Sequence, residues 1–198
     1  MLTPGVVVTA TAFDDQGQFS VNGQRADANY FTVDGVSANF GVSARRLAIA
    51  QQVAFAKWDS GAPVENASGE EHVIVSATEA GQLRGLNQTS VSNFFRAQIE
   101  ANKLVQYSLL AEWRREGRAP DHTPVDLAST IRPELDEVDK ALIVELEKSA
   151  AIRASRSCRV EIAKAVGRYV SAHKNRFGPL RDIALDRALV TACTGPLR

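Results

Sequence analysis

The spacing of apolar residues changes once along the chain. Up to about residue 41 they alternate with polar ones, and from Ser43 onward they recur every three or four positions. In the front segment Val6-Val7-Val8-Thr9 is a β-branched run. Phe19-Ser20-Val21 leads into Asn22-Gly23, and Tyr30-Phe31-Thr32-Val33 leads into Asp34-Gly35. Short alternating runs that end on Asn-Gly or Asp-Gly predict hairpins. About three strands in some 40 residues close no core of their own. Residues 1–41 are therefore expected to be an extension, strand-and-turn or unfolded, and not an independent domain.

The remainder, residues 42–198, predicts an all-α domain of six helices. The first runs from an N-cap at Ser43 to Trp58, before Gly61 and Pro63. The second starts at Ser68, where Ser68-x-x-Glu71 fits a capping box, and ends near Gly85. The third runs from Thr89 or Ser90 to Arg115, and the fourth from Leu127 to Ala154 with Leu135, Val138, Leu142 and Leu146 inward. The fifth spans Ser157 to His173. The sixth opens on Pro179, a favoured first-turn residue, and ends near Cys193.

Several polar residues sit where these helices should be apolar. One stripe of the first helix reads Arg46, Ala50, Val53, Lys57, with the cations about 16 Å apart on one face. In the third helix Asn102 and Gln106 interrupt a stripe of Phe95, Ile99 and Leu109, and in the second Glu70 aligns with Val73, Ala77 and Ala80. Taken singly, each has an ordinary structural explanation: long cations snorkel, and buried amides bond a neighbouring helix. Three helices doing so together point to a polar pocket between them, because unpaired polar groups in a dry core are costly. Arg46 and Lys57 suit that pocket to an anion, and Arg132, just before Pro133, offers another cation.

Composition narrows this further. The chain has 198 residues, 23 basic and 23 acidic, so bulk attraction to nucleic acid is excluded. The balance hides an asymmetry, since residues 1–41 hold four aspartates against one arginine and the first lysine is Lys57. No apolar run approaches the roughly 20 residues of a membrane span, so no membrane partner is expected. Two cysteines cannot build a four-cysteine zinc site, and His72, His122 and His173 lack metal-ligand spacing, so no metal is expected. Arg153, Arg156, Arg159, Lys164 and Arg168 form a basic patch about the fifth helix; without interleaved aromatics it reads as a solvated face.

These residues resemble a known family. Arg45-Arg46-Leu47-Ala48, Val53-Ala54-Phe55-Ala56-Lys57-Trp58 and Pro63-Val64-Glu65 look like the start of an AroQ-type chorismate mutase of the exported subclass. The run from Asn93 to Gln106 (NFFRAQIEANKLVQ) is similar to the same subclass, as are Asp126-Leu127, Ile131-Arg132-Pro133-x-Leu135-Asp136 and Ala184-Leu185-Asp186-Arg187-Ala188-Leu189. The resemblance covers about residues 42–195.

It implies conversion of chorismate to prephenate without cofactor, metal or covalent intermediate. By position, Arg46 and Arg132 would bind the substrate carboxylates, and Lys57 would bridge a carboxylate and the ether oxygen. Gln106 would donate to that oxygen, Glu70 would meet the ring hydroxyl, and Asn102 would line the carboxylate end. The family usually carries an aspartate nine positions beyond the lysine and an arginine twelve beyond. Here these are Asn66, which replaces some of the hydrogen bonding, and Gly69, which supplies no guanidinium. A weakened site is therefore the alternative expectation: a helical protein that binds chorismate or a related dicarboxylate with little or no turnover.

Cys158 and Cys193 begin the fifth helix and end the sixth, so an antiparallel pair would bring them together. The residues alone leave a bridge or two buried thiols open, and the exported subclass has a comparable bridge. The resemblance also implies a periplasmic or secreted protein and a homodimer. Residues 1–41 lack the basic start and apolar core of a signal peptide, which leaves a cytoplasmic location open. That segment, in Gly17–Arg25 and Asn29–Val36, looks like a fragment of the plug region of TonB-dependent outer-membrane receptors. About 41 residues carry no receptor activity over.

Overall fold

The computed structural model describes residues 6–11, 14–21, 32–33, 36–37, 41–172 and 179–195. At the front, β1 (Val6–Thr11) pairs antiparallel with β2 (Asp14–Val21), and β3 (Thr32–Val33) with β4 (Val36–Ser37). Val33 pairs with Val36 and Thr32 with Ser37; the Asp34-Gly35 between them lies outside the described residues. Val21 pairs back with Val6, so Phe19-Ser20-Val21 belongs to the second strand of the first hairpin; the turn expected at Asn22-Gly23 lies outside the described residues.

From Gly41 the described fold is all-α. Its helices are α1 (Gly41–Ser60), α2 (Ala67–Gln82), α3 (Gln88–Glu116), α4 (Arg132–Lys148), α5 (Ala150–Ala154), α6 (Cys158–Ala172) and α7 (Pro179–Leu189). A π-helical turn over Leu127–Ile131 enters α4. The long α3, roughly 43 Å at 1.5 Å per residue, is the axis against which α1, α2 and α7 pack, while α4 lies on α1 and α2. Its buried stripe reads Val91, Phe95, Gln98, Asn102, Val105, Gln106 and Trp113. Val91, Phe95 and Val105 of this stripe meet Leu47, Ala50 and Val53 of α1 and Leu185 and Ala188 of α7 in one core, and Trp113 packs with Ala54, Val64 and Leu110 in a second cluster.

The helix ends correct three expectations. Ser43 caps nothing: α1 starts two residues earlier, and the buried Ser43 hydroxyl accepts from Gln98 Nε2, whose amide also donates to Ala188 O. The N-cap of α2 is Asn66, not Ser68. Asn66 Oδ1 accepts from Gly69 N at 3.1 Å, and Glu70 Oε1 accepts in return from Asn66 N. An Asx side chain caps at least as well as serine, and starting at Asn66 places the reciprocal glutamate one turn on. The fourth helix is also interrupted, with the backbone leaving helical geometry at Ser149 between α4 and α5.

Arg153 does not belong to the solvated patch. It is buried and donates to Ala192 O, Leu146 O and Ser90 Oγ, tying α5 to α3, α4 and the segment after α7. Beside it Cys158 and Cys193 form a disulfide across 35 residues of chain. No helix among the described residues is long and apolar enough to cross a membrane.

Candidate active site

A cavity of about 400 Å³ opens between α1, α2, α3 and α4. The structure places Arg46, Lys57, Asn66, Glu70, Asn102, Gln106 and Arg132 on its wall, so every candidate binding or catalytic position meets at one place. Helical period explains this for α1. Arg46 and Lys57 lie three turns apart on a face whose intervening residues, Ala50 and Val53, are small enough to leave room for both heads. Both side chains are buried, Arg46 to 4% exposure and Lys57 to 9%.

The two cations are held differently. Arg46 Nε donates to Asp139 Oδ1 of α4 at 2.7 Å, and Nη1 to Gln98 O at 3.2 Å. Among the described residues Lys57 donates only to a backbone carbonyl, Val64 O, at 2.6 Å. Burial pushes the Lys57 ammonium below the ordinary lysine value, and the charges of Glu70 and Glu65 restore part of the difference. The cavity therefore contains a desolvated cation with no direct counter-ion among the described residues, which an anionic ligand would satisfy. Arg132 lines the same cavity, is exposed, and its side chain has no hydrogen-bond or ion-pair partner among the described residues.

The amides form a chain. Asn102 Nδ2 donates to Arg46 O at 3.0 Å, which turns Asn102 Oδ1 toward Gln106 Nε2 at 2.7 Å. A carbonyl only accepts, so this chain fixes the orientation of both amides. One Gln106 N–H is thereby used and the second remains for a ligand, while Gln106 Oε1 is buried with no partner among the described residues.

Two wall features escaped the sequence reading. Lys103, one residue past Asn102, also lines the cavity and pairs with Glu65, Glu70 and Glu100, at 2.5, 3.4 and 2.9 Å. Burial works against its charge, but the hydrogen bonds it donates to Glu65 and Glu100 and the Glu70 charge outweigh it and hold it above the ordinary lysine value. Of this clamp only the Glu100–Lys103 spacing was visible in the sequence. The second feature is the space at Gly69. A Cβ there would lie 2.5 Å from Asn66 Nδ2, so the capping amide fills the place that a side chain at 69 would need.

Residues 43–107 match the family described as chorismate mutase type II. The secreted chorismate mutase of Mycolicibacterium smegmatis is 26% identical over 151 residues, which are 76% of this chain and 82% of that protein. The crystal structure of chorismate mutase from Burkholderia phymatum is similar with a TM-score of 0.74 and 38% identity, covering 78% of this chain and 93% of that one. That of chorismate mutase from Burkholderia thailandensis has a TM-score of 0.74 and 28% identity, covering 79% and 97%. The all-α architecture, the converging stripes and identity sustained over nearly the whole of a solved relative agree, and the chain belongs to the chorismate mutase type II family.

Proposed function

We propose that this chain rearranges chorismate to prephenate. The observation that carries the reading is the convergence of Arg46, Lys57 and Arg132 with the oriented Asn102–Gln106 pair on one cavity of about 400 Å³. Chorismate carries two carboxylates, and its enolpyruvyl arm must fold over the ring before the ether C–O bond can break and the new C–C bond form. Arg46 and Arg132, both on the cavity wall, grip the carboxylates and hold the folded conformer, which lowers the entropic part of the barrier. Negative charge grows on the ether oxygen as the bond breaks. Lys57 and the second Gln106 N–H, both on buried side chains, face it from fixed positions, and such stabilisation is stronger away from bulk water. Glu70, oriented by Asn66 N and Lys103, accepts from the ring hydroxyl. No proton changes hands.

Calorimetry with a bicyclic dicarboxylate that mimics the folded transition state tests this reading. A catalytic site binds it at one per chain, at least about a hundredfold tighter than the KM for chorismate. Equal affinity for the mimic and chorismate is the outcome for a dicarboxylate-binding protein, and no binding at all points to a helical adaptor.

Two further results are expected. The protonated Lys57 is the active form, so raising the pH removes its charge and kcat/KM falls. Because burial lowers its pKa in the free protein, that fall begins below the ordinary lysine range. A bound dianion favours the ammonium, so the limb in kcat lies at higher pH. A kcat/KM profile that stays flat into the ordinary lysine range would contradict the role. Gly69→Arg restores a guanidinium at the α2 end once the Asn66 amide swings aside. KM for chorismate then drops several-fold with a smaller change in kcat, as for a contact made in ground and transition states alike; an unchanged KM would show that Gly69 is not the weakness.

The disulfide and the secreted relatives support export to an oxidising compartment. The family resemblance supports a homodimer, which sedimentation equilibrium would read directly.

A further inference from the structure

Arg46 is the most enclosed cation of the cavity, and a guanidinium presents its hydrogens in a rigid plane, so its orientation decides what it can grip. Two of its three nitrogens are already committed: Nε to Asp139 Oδ1 at 2.7 Å, and Nη1 to Gln98 O at 3.2 Å. Nη2 and the second Nη1 hydrogen have no acceptor among the described residues. They form the edge left for the cavity. Asp139 itself is not on the cavity wall, and its side chain is only 14% exposed. It lies two turns beyond Arg132 on α4, so a single helix supplies one carboxylate-binding cation and, from the same side, the group that holds the other.

We infer that Asp139 is a positioning residue: it anchors the Nε edge of Arg46 so that the Nη edge stays aimed into the cavity. The inference rests on the proposed chorismate reading only for its kinetic consequences. Its signature separates orientation from binding. A carboxylate behind Arg46 offsets part of the cation's charge, so Asp139 does not strengthen the hold on a dianion. What it supplies is geometry, and geometry counts most where the substrate is most constrained, in the transition state.

Asp139→Asn keeps the shape and a weaker acceptor while removing the charge. Its expected effect is a fall in kcat of about tenfold, in the range usual for groups that orient a functional residue, with KM unchanged or lower. Asp139→Glu, which restores the carboxylate, retains most of the wild-type kcat. A purely structural Asp139 would lower the folded fraction and leave kcat per folded molecule and KM as they were; that result overturns the inference, as does a rise in KM at unchanged kcat. A second readout needs no turnover. The 15N resonance of the Arg46 Nε–H group, assigned by its loss in Arg46→Lys, is slow to exchange in the wild type and fast in Asp139→Asn. Equal exchange in both proteins overturns the inference even if chorismate is the wrong substrate. Conversely, slow exchange in a wild type that does not turn chorismate over would refute the proposed reaction and leave the anchoring intact.

Discussion

Lys57→Ala lowers kcat/KM for chorismate by about a thousandfold or more, with most of the loss in kcat. Removing one donor from a preorganised oxyanion site costs about a hundred- to a thousandfold, and Lys57 brings a full charge as well as a donor. The charge stands in a buried place where its protein partner is the neutral carbonyl of Val64, so charge developing on the ether oxygen meets an ammonium not yet neutralised. Lys103 is no substitute, because Glu65, Glu70 and Glu100 already surround it. Folding should survive the substitution: the vacated space opens on the cavity, and no buried anion is left unpaired by it. Steady-state kinetics on folded protein, verified by circular dichroism, checks this. A loss below tenfold would remove Lys57 from the centre of the mechanism.

The second large effect concerns stability. Replacing both Cys158 and Cys193 by alanine, or reducing their bridge, lowers stability by about 3–4 kcal/mol, from the closure entropy of a loop of this length. For a chain of this size that is about 10 °C in Tm. The bridge ties the start of α6 to the segment after α7, and α7 supplies Ala184, Leu185, Ala188 and Leu189 to the core against α3. None of these residues lines the cavity, so turnover measured well below Tm stays close to wild type. Thermal unfolding of the oxidised and reduced protein, with kcat recorded at 20–25 °C, separates the two effects. A shift below about 3 °C would mean that Arg153 and the core hold this corner without the bridge.

The parts of the site legible in the sequence are those written in a single helix. Arg46 and Lys57 share a stripe because three turns separate them, and Asn102 and Gln106 stand out because amides at i and i+4 break an apolar face. What stayed hidden depends on which helices become neighbours. Asp139 reads as an ordinary surface acid of α4 until α4 lies against α1 and meets Arg46. Lys103 shows one acidic partner in its own helix, but Glu65 and Glu70 arrive only when the α1–α2 connection and the start of α2 fold over α3. Helix ends were the other difficulty. Asn66 and Ser68 are both capable caps two residues apart, and the choice rested on Glu70 reaching back to Asn66 N. Arg153 looked like one arginine among several on a basic stretch, since two of its three acceptors, Ala192 O and Ser90 Oγ, come from distant segments.

The measurement that bears most directly on the whole account is the loss of chorismate absorbance with purified protein in metal-chelating buffer without added cofactor, with the product identified. Saturable turnover far above the buffer background, yielding prephenate in equal amount and inhibited competitively by the bicyclic dicarboxylate, is the expected result. Turnover no faster than buffer, with folded protein present, would contradict it.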